Sequence, residues 1–369
     1  MTHRTAPIST IPTLTTVQLP TTVGLDLSDR VSHFHVQRGD GHTLGTGKVA
    51  TTRADLTVLF ERWKGCLLVI EAGGHSPWIS RLASACGMEV VVANPRRVEL
   101  ISKSDRKTDR SDAHILTELG RTNAQLLAPI THRSAQAQAD LCVLRARDEL
   151  VRARTGMINH VRGVLKSNGH RAVTCSADSF GKKASTVIPA ELEPGLRPIL
   201  EMIVSLTSKI AGLDEQIERL CVERYPITQV LRQIGGVGPV VALTFVLTLD
   251  DPTRFRRARD VGAYLGLVAR KRSSGASDPQ MRIMKAGDRS MRRLLVIAAN
   301  YILGRFGPDC DLRRFGLRIV GEGNDKTAKK RARVAVARKL AVLMHHLWRT
   351  GEVYDPLYTA KARGELAVA

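Results

Sequence analysis

Residues 23–28 read VGLDLS and residues 66–71 read CLLVIE, and these two runs decide the fold of the chain. Both are short and apolar, and each carries one acid, Asp26 in the first run and Glu71 at the end of the second. Short apolar runs bounded by polar or glycine residues are typical of buried strands. We therefore predict two strands that each carry a carboxylate near their ends.

The segment around these runs, from about 22 to 120, alternates strand and helix patterns. Residues 32–37, SHFHVQ, alternate at the period of a strand, and RGDG at 38–41 predicts a hairpin turn. The predicted strands are 23–27, 32–37, 43–50, 66–71 and 89–93, the predicted helices are 54–64 and 77–86, and Asn94-Pro95 predicts a break. Three antiparallel strands followed by β-α-β units predict an α/β ribonuclease-H-like N-terminal domain.

A helix start is predicted at 107–113, KTDRSDA, where Asp109 and Asp112 share one face because positions three apart are neighbours. With Asp26 and Glu71 they make four carboxylates, and hard divalent cations prefer oxygen ligands. Two metal ions about 3.5–4 Å apart can activate the attacking oxygen and stabilise the leaving oxygen in phosphodiester cleavage. Each acid alone is better explained by helix capping, a helix dipole or a surface position. The four together favour a metal site.

The charge of the chain indicates a polyanionic partner. Its 369 residues carry a net charge of +21 with a pI of about 10.3. Residues 226–369 hold 27 Lys and Arg against 12 Asp and Glu, so most of the excess lies there. Aromatic residues make up only 4%, so we expect attraction to phosphates rather than base stacking to dominate, with binding that weakens steeply with salt. A membrane surface would require a long apolar span or a Trp- and Phe-faced amphipathic helix, and the sequence has neither.

Cysteine spacing and the first residues bear on the cellular compartment. The six cysteines are scattered without a C-x-x-C pair, which argues against a zinc site and indicates a reducing cytoplasm. Residues 1–20 are rich in Thr and Pro and have no apolar core. We predict a loose tail there rather than a signal peptide.

Two long helical patterns follow, at about 134–168 and 198–222. In the second, apolar residues recur every three or four positions from Ile199 to Leu220, which is typical of a coiled-coil seam. The segment 170–190 between them is small and polar and is predicted to be a loop. The pattern predicts an antiparallel arm or a dimerisation element, and a plain helical hairpin packed on its own chain fits it equally well.

The third region begins with IGGVGP at 234–239, between a short helix and an apolar helix at 240–249, which predicts a helix-hairpin-helix-like motif. Backbone amides at such a helix start can hold a DNA phosphate, here beside Gly236 and Gly238, and a tight turn without a ligand is the alternative. Basic residues follow, including a predicted amphipathic helix at 326–339. The candidate nucleic-acid contacts are Arg254, Arg256, Arg270, Lys271, Arg272, Lys285, Arg292, Arg293, Lys329, Lys330 and Arg331.

Residues 266–275, GLVARKRSSG, contain a serine pair flanked by cations and glycine. A serine in this setting can attack phosphate, because the cations stabilise developing negative charge and a glycine lets the phosphodiester approach. A Ser-Ser-Gly run is otherwise an ordinary loop. The residues alone do not favour Ser274 as a nucleophile over Ser274 as part of an ordinary loop.

These motifs, in this order over nearly the whole chain after residue 22, resemble the DEDD transposases of insertion-sequence-110 type, the bridge-RNA-guided DNA recombinases of mobile elements. The segments that carry the resemblance are GLD at 24–26, IEA at 70–72, NP at 94–95, KTDRSDA at 107–113, IGGVGP at 234–239, AYLGL at 263–267, SSG at 273–275, KAG at 285–287 and YDP at 354–356. Two positions depart from the family pattern. The hairpin has Gly235-Gly236 where the family usually has Pro-Gly, and Ala269 stands where the family often has Pro.

The predicted flexible tail spans 1–21 and has no counterpart in the family. The resemblance implies a Holliday-junction-resolvase-like DEDD domain at 22–125, a helical coiled-coil arm at 126–225 and a mainly α C-terminal transposase domain at 226–369. It implies that Asp26, Glu71, Asp109 and Asp112 bind Mg²⁺. It also implies that a serine attacks DNA and forms a phosphoserine link. Ser273 and Ser274 are adjacent, so the nucleophile is ambiguous by one residue, and we take Ser274 because it directly precedes Gly275, as the family pattern requires.

The implied partners are target and donor DNA and a structured noncoding guide (bridge) RNA that pairs with both, while the protein reads RNA shape and backbone. Further copies of the chain, in a dimer or tetramer, would complete the sites across protomers. The implied location is the bacterial cytoplasm, at the nucleoid.

Three other functions remain open on the residues alone. The first is a hydrolytic ribonuclease-H-like resolvase or nuclease in which metal-activated water attacks and Ser274 is a bystander. The second is a non-catalytic RNA- or DNA-binding protein, against which the four acids argue. The third is a sugar-kinase-like ATPase, since that fold also opens with Gly-x-Asp, and the basic C-terminal third argues against it.

Overall fold

In a computed structural model, the chain is described at residues 20–101, 109–270, 281–321 and 325–364, with backbone alone at 99–101 and 109. It divides into two compact units, one up to His132 and one from Arg133 onward. Residues 1–19 of the predicted tail lie outside the described residues, and so do the predicted site residues Lys271, Arg272, Ser273 and Ser274.

The first unit is built on a five-stranded sheet. Its strands are β1 (Thr22–Asp26), β2 (Val31–Gln37), β3 (Thr43–Ala50), β4 (Leu67–Glu71) and β5 (Glu89–Ala93), in the order β3-β2-β1-β4-β5. The first three strands pair antiparallel, and β1, β4 and β5 run parallel. The predicted mixed α/β N-terminal domain is confirmed, and this strand arrangement fits a ribonuclease-H-like domain.

Helices cover both faces of this sheet. They are α1 (Arg53–Arg62), α2 (Ser76–Ala85), α3 (Pro95–Ile101) and α4 (Asp109–Asn123), followed by a 3₁₀ turn at Ala124–Leu127. Because successive strand residues face opposite sides, Leu68 and Ile70 of β4 pack with α1 and α2, whereas Val69 packs with α4.

The break predicted at Asn94-Pro95 is confirmed, because β5 ends at Ala93 and a new element, α3, begins at Pro95. Proline suits this position, since the first N–H groups of a helix need no partner within the helix.

The second unit is helical in the described residues, apart from one isolated β-bridge, and the predicted helical C-terminal region is confirmed. Its helices are α5 (Ala135–Ser167), α6 (Ala177–Ala184), α7 (Glu193–Glu223), α8 (Ile227–Leu231), α9 (Pro239–Leu249), α10 (Arg259–Tyr264), α11 (Arg289–Leu303), α12 (Asp311–Val320), α13 (Lys326–Thr350) and α14 (Tyr358–Ala362). No helix among the residues described is both long enough and apolar enough to cross a membrane.

The two long helices α5 and α7 pack antiparallel. Leu141, near the start of α5, shares a cluster with Ile217, near the end of α7. Leu165, near the end of α5, shares another cluster with Leu200, near the start of α7. Within the predicted seam of the second helix, the buried residues are Ile203, Leu206, Ile210 and Ile217.

The segment 170–190 was predicted to be a loop, and this prediction is wrong in part, because it contains α6. Phe180 of α6 is fully buried. The buried guanidinium of Arg154 on α5 donates to the Asp178 carboxylate of α6 at 2.6 Å. A helix of eight residues with few apolar side chains gives too weak a periodic signal for sequence-based recognition.

The core of the second unit lies around α9, whose residues 241–249 are all buried. Helices α11 and α13 contribute Leu295 and Leu340 to the same cluster. The basic residues of α13 thus belong to a helix whose other face is part of the core.

Candidate active site

Asp26 and Glu71 lie at the carboxyl ends of two neighbouring parallel strands. The register pairs Leu25 of β1 with Ile70 of β4, so these acids are the next residues along each strand. Both are half-buried. Ligands of open α/β sheets bind beyond the carboxyl ends of the parallel strands, so the two acids lie at a suitable edge for a site.

Helix α4 places its first turn at the same edge. Gly120 of α4 approaches Thr22 and Val69, whereas Ala113 approaches Gly24, two residues further along β1. The helix therefore runs antiparallel to β1, with its first turn at the end of the strand that carries Asp26. Asp109 and Asp112 belong to that turn.

The four acids suit a divalent cation in kind, because carboxylate oxygens are hard ligands, and the backbone brings them to one edge. Among the side chains that the structure describes, which exclude that of Asp109, no three His, Cys, Asp or Glu residues form a group that could hold a metal ion. The three described carboxylates alone do not make a complete ligand set. A complete set of metal ligands at this edge would require Asp109 or movement of the side chains.

Sequence analysis missed Thr117, which joins α4 to the sheet. Its hydroxyl oxygen accepts a hydrogen bond from the Gly24 N–H at 3.0 Å and lies 3.1 Å from the carbonyl oxygen of His35. A signal was present, because Ala113, Thr117 and Gly120 are small residues on one face of α4. Such a face allows a helix to approach another backbone closely.

A histidine pair lies beside this contact. The rings of His35 on β2 and His114 on α4 meet edge to face, with centroids 4.7 Å apart. Burial, followed by the charges of His114 and Arg110, lowers the pKa of His35 against the opposing effect of Glu118. His35 is therefore neutral at physiological pH and packs as an aromatic side chain.

The candidate nucleophile Ser274 lies outside the described residues, but the segments on either side of 271–280 are paired. Ala269 and Ile283 form an antiparallel bridge. The Arg270 N–H donates to the Arg282 carbonyl at 3.0 Å, and the Met284 N–H donates to the Val268 carbonyl at 2.9 Å. This ladder defines the base of the 271–280 segment.

Arg292, a predicted nucleic-acid contact, has a different set of partners. Its guanidinium donates to the carbonyl oxygens of Leu265, at 3.0 Å, and of Ala286. Burial lowers its pKa against the opposing charge of Asp288. Because these carbonyls belong to the two segments that flank the paired base, Arg292 joins them.

Glycine is required on both sides of this junction. Gly266 has φ +67° and Gly287 has φ +70°, values that other residues rarely adopt. A Cβ on Gly266 would lie 2.3 Å from the Ala286 carbonyl oxygen, and one on Gly287 would lie 2.1 Å from that of Tyr264. The two backbones are therefore in direct contact.

The other predicted nucleic-acid contacts differ in their partners and in their exposure. Arg254 donates to the Leu249 carbonyl at 3.0 Å, and Arg293 pairs with Asp148 of α5. Lys329 is half-buried. The exposed ones are Arg256, Arg270, Lys285, Arg293, Lys330 and Arg331.

The two glycines of the α8–α9 turn differ. Gly236 has φ +87°, and a Cβ there would lie 2.9 Å from the Tyr301 ring. Packing against α11 therefore explains why this position is a glycine. Gly238 caps the start of α9 and has open space at the Cβ position, so it is the position of the two that a phosphate could approach.

Comparison with known proteins defines the class of this chain as a transposase. Residues 23–168 match a transposase family of the DEDD type named for IS110, and residues 228–313 match the family described as "Transposase IS116/IS110/IS902 family". The two matches cover the acidic sheet domain and the region from α8 to α12.

Whole-length relatives agree. The chain is 30% identical to a probable family 20 transposase of Pseudomonas aeruginosa over 288 residues, 76% of this chain and 83% of that protein. It is 30% identical to the transposase for insertion sequence element IS1328 of Yersinia enterocolitica, over 77% of this chain and 84% of that protein. It is 28% identical to the transposase for insertion sequence element IS1111A of Coxiella burnetii, over 79% of each.

The chain therefore belongs to the IS110/IS116/IS902 family of transposases, and the resemblance found in its motifs is confirmed. It is an enzyme of DNA cleavage and transfer. Acidic domains of the DEDD type generally use a divalent metal.

Proposed function

We propose that this transposase cuts and rejoins DNA through a phosphoserine intermediate, with Asp26, Glu71, Asp109 and Asp112 as Mg²⁺ ligands and Ser274 as nucleophile. The observation that carries the proposal is the common edge formed by β1, β4 and α4. Three separate elements bring acids to that edge. An unrelated surface position for each acid would not require this convergence.

The chemistry divides between the acids and the serine. Bound Mg²⁺ would stabilise negative charge on the phosphate oxygens. The Ser274 hydroxyl oxygen forms a bond to phosphorus and loses its proton, while a bridging P–O bond of the DNA breaks. The departing DNA oxygen takes up a proton and leaves as a hydroxyl. The reverse step, with a hydroxyl of the new strand as attacking group, rejoins DNA and frees the serine.

Ser274 needs support from its surroundings. The ladder between 268–270 and 282–284 and the Arg292 hydrogen bonds support a fixed base for the segment that carries it. The exposed cations Arg270 and Lys285 lie at that base. They would attract the DNA backbone toward the serine.

A structured noncoding guide (bridge) RNA is the second part of the proposal. The net charge of +21 supports binding of more than one nucleic acid. The protein would bind RNA and DNA through their backbones, while base pairing supplies sequence recognition. Exposed Lys330 and Arg331 at the start of α13 are candidate contacts.

Assembly from several copies is the third part. The acids belong to the proposed domain at 22–125 and Ser274 to the one at 226–369, joined by the proposed arm at 126–225. We propose that acids and serine from different protomers act on one phosphate in a dimer or tetramer. Mixing a Ser274→Ala chain with an Asp26→Asn chain should then restore activity that neither variant has alone.

The test of the serine step is a covalent adduct. The purified protein is incubated with Mg²⁺, its RNA and DNA carrying the element's ends, and the products are separated under denaturing conditions. Wild type and the control Ser273→Ala should leave protein attached to a DNA end, and Ser274→Ala should not. Cut DNA without attached protein in all three samples would instead identify the hydrolytic route with water as nucleophile.

A further inference from the structure

We infer that Thr117 is a positioning residue for the acidic edge, because its hydroxyl fixes where α4 lies along β1. The inference rests on the proposed metal site. The second unit is not involved, because every contact that the inference uses lies within the sheet domain.

The Thr117 hydroxyl connects three backbone segments. The side chain is fully buried. Its oxygen accepts from the Gly24 N–H at 3.0 Å and lies 3.1 Å from the His35 carbonyl oxygen and 2.8 Å from that of Ala113. Gly24 and His35 are opposite each other in the β1–β2 pair. One side chain of α4 thus bonds to both strands at the same rung.

The helix and the strand are in backbone contact around this bond. A Cβ on Gly24 would lie 2.2 Å from the Ala113 carbonyl oxygen and 2.3 Å from the Thr117 hydroxyl oxygen. A Cβ on Gly120 would lie 2.3 Å from a methyl group of Val69. Gly24 on the strand and Gly120 on the helix allow this approach. Because Gly24 has no side chain, it cannot itself prevent the helix from sliding along the strand.

The directional contact at this rung is therefore the hydroxyl bond. A helix rises about 1.5 Å per residue, so a slide of one residue would stretch the 3.0 Å hydrogen bond from the Gly24 N–H beyond the usual range of about 2.7–3.2 Å. Removal of the hydroxyl leaves the apolar contact in place but removes the geometric preference for one position. Neighbouring positions of α4 along β1 become closer in energy.

The bond lies next to the acids in sequence and in space. Asp26 is two residues beyond Gly24 on β1 and faces the same side of the sheet, because side chains two apart share a face. Asp112 precedes Ala113, whose carbonyl the hydroxyl also contacts. A shift of α4 would therefore move Asp112 relative to Asp26 directly. Groups that orient metal ligands typically contribute about 10–100-fold to metal affinity or activity.

The test measures Mn²⁺ binding to the purified full-length protein, by loss of the electron paramagnetic resonance signal of free Mn²⁺. Thr117→Val keeps the shape and removes the hydroxyl, and it should weaken Mn²⁺ binding by about 10-fold or more. Thr117→Ser keeps the hydroxyl and should bind within about twofold of wild type. The Asp26→Asn variant serves as a reference, because the Mn²⁺ binding that it loses is the binding at the acidic edge.

Thr122→Val is the matched control on the same helix. The Thr122 hydroxyl also donates to a carbonyl of α4, that of Glu118 at 2.7 Å, but Thr122 is exposed and its hydroxyl bonds to carbonyls of its own helix. Its loss should leave Mn²⁺ binding unchanged. The Mg²⁺ concentration for half-maximal DNA cleavage should follow the same order across the variants.

A folded Thr117→Val protein that binds Mn²⁺ like wild type would overturn the inference, and a lower melting temperature with unchanged Mn²⁺ binding would assign Thr117 a purely structural role. If Thr117→Val does not fold, Thr117→Ser decides, because weakened binding in a folded Ser variant contradicts a role for the hydroxyl. Wild type that binds no Mn²⁺ in an Asp26-dependent way would instead overturn the proposed metal site itself.

Discussion

Tyr225 donates a hydrogen bond from its hydroxyl to the carboxylate of Asp140 at 2.7 Å, joining the second residue after α7 to the start of α5. Arg224 donates to the same carboxylate at 2.8 and 2.9 Å. Asp140 is buried to 7% exposure. These bonds fix the end of the antiparallel helix pair where it meets the rest of the second unit.

Loss of this carboxylate should destabilise the second unit. We expect Asp140→Ala to lower the free energy of unfolding by about 2 kcal/mol, because Tyr225 and Arg224 lose a partner at a partly buried site. Chemical denaturation measures the change. The control Asp214→Ala removes the Arg147 pair, which joins the same two helices but is more exposed. It should cost about 0.5 kcal/mol, and equal losses in both variants would contradict the assigned role of Asp140.

The same group predicts a dependence of stability on pH. Burial tends to raise the pKa of Asp140, but hydrogen bonds from Tyr225, Arg224 and Gln136 outweigh it and lower the pKa below the usual value. A carboxyl with a lowered pKa in the folded state contributes stability above the unfolded pKa, about 3.9, and loses it as pH falls through the folded pKa. Denaturation at pH 6 and pH 3 should therefore show a smaller difference for Asp140→Asn than for wild type.

The contact between Gly24 and α4 should not tolerate a methyl group. Gly24→Ala would place a Cβ 2.2 Å from the Ala113 carbonyl oxygen, so the helix must move and stability should fall by about 1–3 kcal/mol or more. Thermal unfolding measures this loss. Gly45→Ala on β3 is the control, because nothing lies within 4 Å of a Cβ there. A melting temperature shared by Gly24→Ala and wild type would contradict the close approach.

Arg292 and Arg293 are adjacent in sequence and should behave differently. Arg292→Ala removes the donor to the Leu265 and Ala286 carbonyls, so we expect formation of the serine adduct to fall at least about 10-fold, equivalent to about 1.4 kcal/mol. DNA binding, measured by fluorescence anisotropy, should change little. Arg293→Ala removes a more exposed pair with Asp148 and should keep adduct formation. If Arg292→Ala instead weakened DNA binding and Arg293→Ala reduced adduct formation, Arg292 would be a direct DNA contact.

Exposed cations on α13 should govern the salt dependence of DNA binding. In a Lys330→Ala, Arg331→Ala variant, the slope of log affinity against log salt should become shallower by about 1.8, since each lost phosphate contact contributes about 0.9. The charge-matched control is Lys48→Ala with Lys64→Ala, two exposed lysines of the sheet domain. An unchanged slope in the α13 variant would exclude its two cations from the contact with DNA.

The sequence was sufficient for the sheet because each strand carries its own local pattern, and Asp26 and Glu71 end up side by side as a result of parallel pairing. The role of Thr117 could not be read in the same way. Its partners Gly24 and His35 lie 93 and 82 residues away. The small face of α4 marks a close approach to another backbone, but it does not show which backbone groups the hydroxyl meets.

Arg292 shows a second limit of prediction from sequence, in which a residue that looks like a DNA contact has a structural role. A cation in the first turns of a helix resembles a phosphate contact in any sequence, whereas its partners here are carbonyl oxygens up to 27 residues away. Helix α6 gives a weak periodic signal because Phe180 is the one large apolar residue on its buried face, beside Gly181 and Ala184. Local periodicity identifies elements, and it does not identify which distant backbone group a polar side chain will meet.

The backbone contact between α4 and β1 divides this helix into two parts for protein engineering. Ala113, Thr117 and Gly120 leave no volume for larger side chains, so random mutagenesis of these positions should yield few active clones. The outward positions of the same helix, such as Thr122, can be diversified to tune the enzyme. A library confined to that side would explore new activity without loosening the acids from the sheet.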